Sequence, residues 1–204
     1  QVGISFLLVK LDTPGIRIRP IVTIADDDEL SESFFDDVVV PAENLVGTLH
    51  GGWAIANDLL AHERLGIANP QVAIEAIGRI EALGRANGAI DNPVFRDRLA
   101  GLRIKVVTQA ALFSHAANLA ASGRHLGPDA AILKLVATDT LHAIVDLLLE
   151  ASGGHGADKE RQPVAGGDVD ATQLFLLSRR ATIYGGSSEI LRNIVARRVL
   201  NLPA

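Results

Sequence analysis

The chain has no cysteine and no methionine, a single tryptophan and a single tyrosine, and aromatics make up only 4% of its 204 residues. Without cysteine there is no disulfide framework, no thiolate metal site and no cysteine nucleophile; a reducing cytoplasm is the default compartment. With few aromatics, the apolar mass falls to Ala, Leu, Ile and Val, which favours close helix packing over a sheet-rich sandwich. No run approaches the roughly 20 apolar residues of a membrane-spanning helix, and no secretory leader is visible. The formal net charge is −5, and the basic residues are scattered without interleaved aromatics, so nothing points to nucleic acid or to an acidic membrane. The six histidines show no metal-ligand spacing, and no Ser-His-Asp arrangement is recognisable. Methionine is missing even at position 1, and Gln1-Val2-Gly3-Ile4 reads as the interior of a strand. A portion of a longer protein is therefore expected.

What is present divides in two. Residues 1–48 are β-rich: Ile4–Lys10, then the turn Asp12-Thr13-Pro14-Gly15, then Ile16–Arg19 alternating apolar and basic as a half-buried strand does, then Ser33–Val40 ended by Pro41. That is the tail of a β domain with too few strands to stand alone. From about residue 49 to 204 the pattern is helical. A first helix runs from Gly52 towards Ala86, kinked at Pro70. A second spans Pro93 to Ser122, with Leu99, Leu102, Val106, Ala110 and Phe113 on one stripe. A third spans Pro128 to Glu150 and ends in Gly153-Gly154-His155-Gly156. Residues 157–168 read as irregular, Leu174–Leu177 as a short apolar segment, and Ser187–Leu200 as a last helix. The fold class is mainly α: a helical bundle attached to part of a β domain.

The most telling stretch is Ile183-Tyr184-Gly185-Gly186-Ser187-Ser188-Glu189. Its glycines let the backbone approach a ligand. The serines that follow can cap a helix, whose free N–H groups then face an anionic or polar partner.

This stretch resembles the C-terminal motif of the acyl-CoA dehydrogenase family. Other segments match in order: Thr13-Pro14-Gly15, Phe34–Val38, Val40–Gly47, Gly51-Gly52-Trp53, Glu63-Arg64, Glu150–Gly156 and Arg197–Pro203. The resemblance implies a four-helix-bundle C-terminal domain, FAD as cofactor, an acyl-CoA substrate and an electron-transfer flavoprotein as acceptor. It also implies a tetramer, homomeric or heteromeric, and a place in fatty-acid and lipid catabolism. The family's reaction takes a proton from Cα of the thioester and passes hydride from Cβ to flavin N5. It needs a shielded carboxylate near Cα and donors on the thioester oxygen.

Many members carry the base directly after the tyrosine, where this chain has Gly185. In a branch resembling isovaleryl-CoA dehydrogenase the base sits on the first helix before an arginine, which is Glu63 here. By resemblance, Glu63 is the catalytic base, Gly185 contributes its backbone N–H, and Arg64, Tyr184 and Gly185 touch the substrate. Arg85, Glu150, Gly153, Gly154, Ser187 and Glu189 match flavin-contacting positions. There are departures: Gly88 replaces an aromatic, Glu150 a glutamine, and Ala61 an acidic residue. Plain structural readings stand beside each role. Glu63, Arg64 and Arg85 read equally as surface helix residues, Gly153 as a helix C-cap, and Ser187 and Glu189 as a capped first turn. Other functions stay open: a catalytically silent flavin-binding subunit, a relative with oxidase or monooxygenase chemistry, or a bare helical interaction module.

Overall fold

The computed structural model describes residues 2–124 and 126–203, without the side chains of Ala61 and Ala157. Gln1 and the side chain at position 61 thus lie outside the described residues. The chain divides into two compact units, residues 1–60 and 61–204.

The first unit holds two antiparallel strand pairs. β1 (Phe6–Leu7) pairs with β4 (Leu45–Val46), and β2 (Ile16–Ile21) pairs with β3 (Leu30–Phe35) in the register Ile16↔Phe35 to Ile21↔Leu30. Gly15 makes the entry to β2: its φ is +93°, and a Cβ there would stand 2.2 Å from the Asp36 carbonyl oxygen. Across the pair, Arg17 binds Asp36 at 2.9 Å and lies over the Phe34 ring. The strand expected over Ser33–Val40 instead starts at Leu30 and stops at Phe35, because Asp37 takes a positive φ of 48° and breaks the extended run. Nor is β2 half-buried. Ile18 and Ile21 are exposed, since two strands offer no second layer to cover a face.

The second unit is helical. α1 (Gly52–Ile67) enters it at residue 61, and α2 (Gln71–Asn87), α3 (Pro93–Ala121), α4 (Asp129–Ala151), α5 (Ala171–Arg179) and α6 (Ser188–Arg198) follow. Pro70 does not kink one helix; it separates two. It lacks an N–H and disfavours helical geometry at the preceding residue, so the chain breaks at 68–70 and restarts as α2. α3 begins where expected, with the Asn92 side chain accepting from the Val94 N–H. The stretch 157–168 is not wholly irregular. β5 (Gln162–Val164) and β6 (Gly167–Val169) form a small hairpin, turned through Gly166 at φ +93°.

α4 is the central helix and packs against α2, α3, α5 and α6. Ile144, Leu147 and Leu148 of α4 meet Ile80 and Leu83 of α2 and Leu99 of α3 in one core. Each such fully buried side chain stabilises by about 1.5–3 kcal/mol. A second cluster joins Leu133 and Ala137 of α4 to Ala68 and to Ala116 of α3. No helix among the described residues is long and apolar enough to cross a membrane.

Candidate functional site: the Tyr184–Gly186 loop and its supports

The loop between α5 and α6 carries the glycine pair. Gly185 has φ +65° and Gly186 φ +101°, a region that L side chains avoid. Space is limited as well. A Cβ on Gly185 would stand 2.7 Å from Ile67 Cδ1, and one on Gly186 would stand 3.3 Å from Leu191 Cδ2. Among the described residues the Gly185 N–H donates no backbone hydrogen bond.

Two cations hold the loop by its carbonyls. Arg64 donates its Nε–H to the Gly185 oxygen at 2.9 Å. Lys134 of α4, wholly buried, donates from Nζ to Ala181 O at 2.6 Å and to Gly186 O at 3.1 Å. The Thr138 hydroxyl adds a 3.3 Å bond to Ala181 O. Burial pushes the Lys134 ammonium below its ordinary value, and nearby Arg64 pushes the same way; Asp139 and Glu189 act against both. Lys134 and Thr138 were not among the residues singled out in the sequence. A signal existed: Lys134 interrupts an apolar helical stripe, Ala130-Leu133-Ala137-Leu141, at a position that faces the core.

Glu63 is exposed. It precedes Arg64 and stands one helical turn before Ile67, so Glu63 and Ile67 share a face of α1. The space in front of Gly185 is occupied by Ile67 rather than left free for Glu63. Behind the loop lies a cavity of about 70 Å³ whose lining includes Tyr184, Ile67, Thr138 and Gln109. Gln109 is buried, its Nε2–H bonded to Ala68 O at 3.0 Å and its Oε1 without a partner.

Of the remaining predicted residues, Ser187 and Glu189 directly follow this loop, whereas Arg85, Glu150, Gly153 and Gly154 lie apart from it in the chain. Arg85 is on the last turn of α2 and meets Glu81 at 3.5 Å; Glu81 is held more closely by Arg103, at 2.7 and 3.1 Å. Gly88 ends α2 at φ +80°, which explains a glycine where an aromatic was expected. Glu150 is exposed and receives a 2.7 Å bond from Arg98, and this bond holds its carboxyl below the ordinary value. A pocket of about 220 Å³ beside them is lined by Phe95, Arg98, Glu150 and Ala151, among others. Gly153 takes φ +57° just past α4, the conformation of a C-cap, and both Gly153 and Gly154 are open on the Cβ side. Ser187 caps α6, accepting from Ile190 N–H at 3.4 Å. Glu189 is exposed, and its carboxyl is held below the ordinary value first by its own backbone N–H and then by the Ser187 hydroxyl. Surface residues His155, Asp158 and Glu160 bring potential ligand atoms within 4.8 Å of one another; the imidazole is already paired with Glu160 at 2.9 Å. Histidine spacing could not reveal that group, because its other members are carboxylates.

Residues 50–200 match the family model described as "Acyl-CoA dehydrogenase, C-terminal domain". The chain belongs to the acyl-CoA dehydrogenase family. That family is one of oxidoreductases. The acyl-CoA dehydrogenase FadE34 of Mycobacterium tuberculosis is 35% identical over 203 residues, covering 98% of this chain and 27% of that protein. The acyl-CoA dehydrogenase IpdE1 of the same organism is 35% identical over 209 residues, covering 98% of this chain and 51% of that protein. The chain therefore spans from about a quarter to about a half of these curated relatives. A solved structure, the Tcur3481-Tcur3483 steroid ACAD, superposes with a TM-score of 0.85 at 28% identity, covering 98% of this chain and 52% of that one. The helical unit thus has the fold of the family's C-terminal bundle domain.

Proposed function

We propose that the protein containing this chain is an FAD-dependent acyl-CoA dehydrogenase that desaturates an acyl-CoA thioester between Cα and Cβ, with Glu63 as the base. One observation carries the reading. The face of α1 that meets Gly185 through Ile67, and its carbonyl through Arg64, also bears the Glu63 carboxylate. Glu63 takes the Cα proton on its carboxylate. The Gly185 N–H donates to the thioester oxygen as negative charge builds there, and Arg64 and Tyr184 border the substrate. Residues 1–48 supply strands of a β domain whose remaining strands would cover the exposed apolar side chains Ile18, Ile21, Leu30 and Phe35.

The residues present fit FAD. Arg85 is exposed, and its carboxylate neighbour is already satisfied by Arg103, so its guanidinium is available to a pyrophosphate. Gly153 and Gly154 permit close approach beside the Arg98–Glu150 pocket, and Arg98 offsets the Glu150 charge that would repel a phosphate. Ser187 and Glu189 stand at the start of α6. When bound, FAD supplies the hydride acceptor at N5. Partners follow from the family: an electron-transfer flavoprotein as acceptor, and a homotetramer or heterotetramer in which Arg85 reaches a neighbouring subunit's flavin. The cytoplasm is the compartment proposed.

A second reading has its own support. The departures at Glu150, Ala61 and Gly88, and a structural neighbour named for two proteins, favour a flavin-binding, catalytically silent subunit of a heteromeric enzyme. Anaerobic addition of acyl-CoAs to the full-length, flavin-loaded protein separates the two. Under the first reading the wild type bleaches its flavin absorbance and Glu63→Gln does not. Equal bleaching by Glu63→Gln removes Glu63 as base, and tight flavin binding without bleaching by any thioester supports the silent subunit.

A further inference from the structure

We propose that Lys134 is a positioning residue for this reaction, a single buried ammonium that clamps both ends of the Ala181–Gly186 loop and so fixes the direction of the Gly185 N–H. The inference rests on the dehydrogenase reading for what that N–H does, but the clamp itself rests on geometry. Lys134 is among the largest fully buried side chains in the structure. A buried charge is costly unless it is hydrogen-bonded, and the structure gives this ammonium two backbone carbonyls as acceptors. The acceptors are Ala181 O at 2.6 Å and Gly186 O at 3.1 Å. These two carbonyls bracket Tyr184 and Gly185.

The other supports fit one design. Thr138, one turn along α4, shares the Ala181 carbonyl. Arg64, from α1, takes the Gly185 carbonyl between the two clamp points. A peptide carbonyl and the following N–H lie in one plane and point opposite ways. The carbonyls held at 181, 185 and 186 fix the peptide planes that carry the N–H groups of 182, 186 and 187, and the Gly185 N–H, in the plane of the Tyr184 carbonyl, is confined between those held planes. Glycines at positive φ have the freest backbone available, and a donor placed on them needs outside restraint to be preorganised for the developing oxyanion. Lys134 supplies that restraint without touching the substrate.

The test uses the full-length, flavin-loaded protein carrying Lys134→Met, with Thr138→Val as a milder second variant on the same carbonyl. Two readouts are taken: hydrogen–deuterium exchange of the peptide covering residues 181–187, and the flavin reduction rate as a function of acyl-CoA concentration under anaerobic conditions. In Lys134→Met, exchange in residues 181–187 should speed up while the rest of the helical unit keeps its protection. The saturating reduction rate should fall by about 10²–10³-fold, the loss seen when one oxyanion donor is removed, with the half-saturating concentration changed less than about threefold. Thr138→Val should move both readouts in the same direction, by less, and carries the test if Lys134→Met does not fold. Unchanged exchange overturns the clamp, whether or not the wild type reduces its flavin. Faster exchange with an unchanged saturating rate overturns the positioning role. If wild type reduces its flavin with no thioester, the dehydrogenase reading falls, and the exchange data alone decide the clamp.

Discussion

Ile67 and Gly185 meet closely: the Ile67 Cδ1 stands 2.7 Å from where a Cβ on residue 185 would be. This contact and the backbone at 185 oppose a side chain there in different degrees. The Ile67 methyl is the free end of a rotatable side chain and can withdraw. The backbone, at φ +65°, is left-handed, which costs a residue with a Cβ about 1–2 kcal/mol. Gly185→Ala should therefore destabilise by about 1–2 kcal/mol, read from urea unfolding, and Ile67→Ala in the same chain should recover little of it. Full recovery by Ile67→Ala would mean that the contact, not the backbone, excludes side chains. For the same reason, Gly185→Glu combined with Glu63→Gln should not restore wild-type flavin reduction.

Glu150 and Arg98 form an exposed pair whose pH dependence has a defined sign. The Arg98 hydrogen bond holds the Glu150 carboxyl below its ordinary value of 4.5 in the folded chain. A group depressed on folding contributes stability above its unfolded value, and the contribution is lost as pH falls through the lower folded value. Glu150→Gln should thus be less stable than wild type at neutral pH, by under about 1 kcal/mol because both partners are exposed. The two should converge in acid as pH falls below the ordinary carboxyl value of 4.5 and through the lower folded one. A difference that persists unchanged to pH 2 would assign the effect to packing rather than to charge.

Helix positions and the family motifs were legible because they rest on local signals. Asn92-Pro93 capped α3 as expected, and the apolar stripe Leu99-Leu102-Val106 is buried. What was not legible depended on tertiary contacts or on short elements. Pro70 separates two helices because the chain could restart immediately as α2. The β5–β6 hairpin is only three residues per strand and contains Pro163, so it offers no alternation to read. The candidate site divides the same way. Tyr184-Gly185-Gly186 announces itself in sequence, whereas the carbonyl clamp from Lys134, some 50 residues earlier, exists only once α4 is packed.

Gln109 supplies a test of how the α1–α2 break is held. Its buried Nε2–H bonds the Ala68 carbonyl at 3.0 Å, just past the end of α1. Removing that donor leaves a buried carbonyl unpaired, at a cost of about 1–3 kcal/mol. Gln109→Met keeps most of the volume and loses the donor; Gln109→Ala loses both. Both variants should be destabilised in urea, and the alanine should be the weaker by a further ~1 kcal/mol or more for the cavity it opens. If Gln109→Met matches wild type, the bond to Ala68 contributes nothing net, and the unpartnered Oε1 has offset it.

Ser187 is where a structural role and a cofactor role can be separated by measurement. As the N-cap of α6 it accepts from Ile190 N–H over a long 3.4 Å, so Ser187→Ala should cost stability at the low end of capping values, about 0.5–1 kcal/mol. Its hydroxyl also helps hold the Glu189 carboxyl low, and the variant should let that carboxyl titrate at a higher pH. If Ser187 also contacts the flavin, losing one hydrogen bond of about 1 kcal/mol weakens FAD binding about fivefold. We expect that weakening in a titration of the full-length apoprotein with FAD, on top of the capping loss. A capping loss with an unchanged FAD affinity would assign Ser187 to the helix start alone and take it out of the cofactor site.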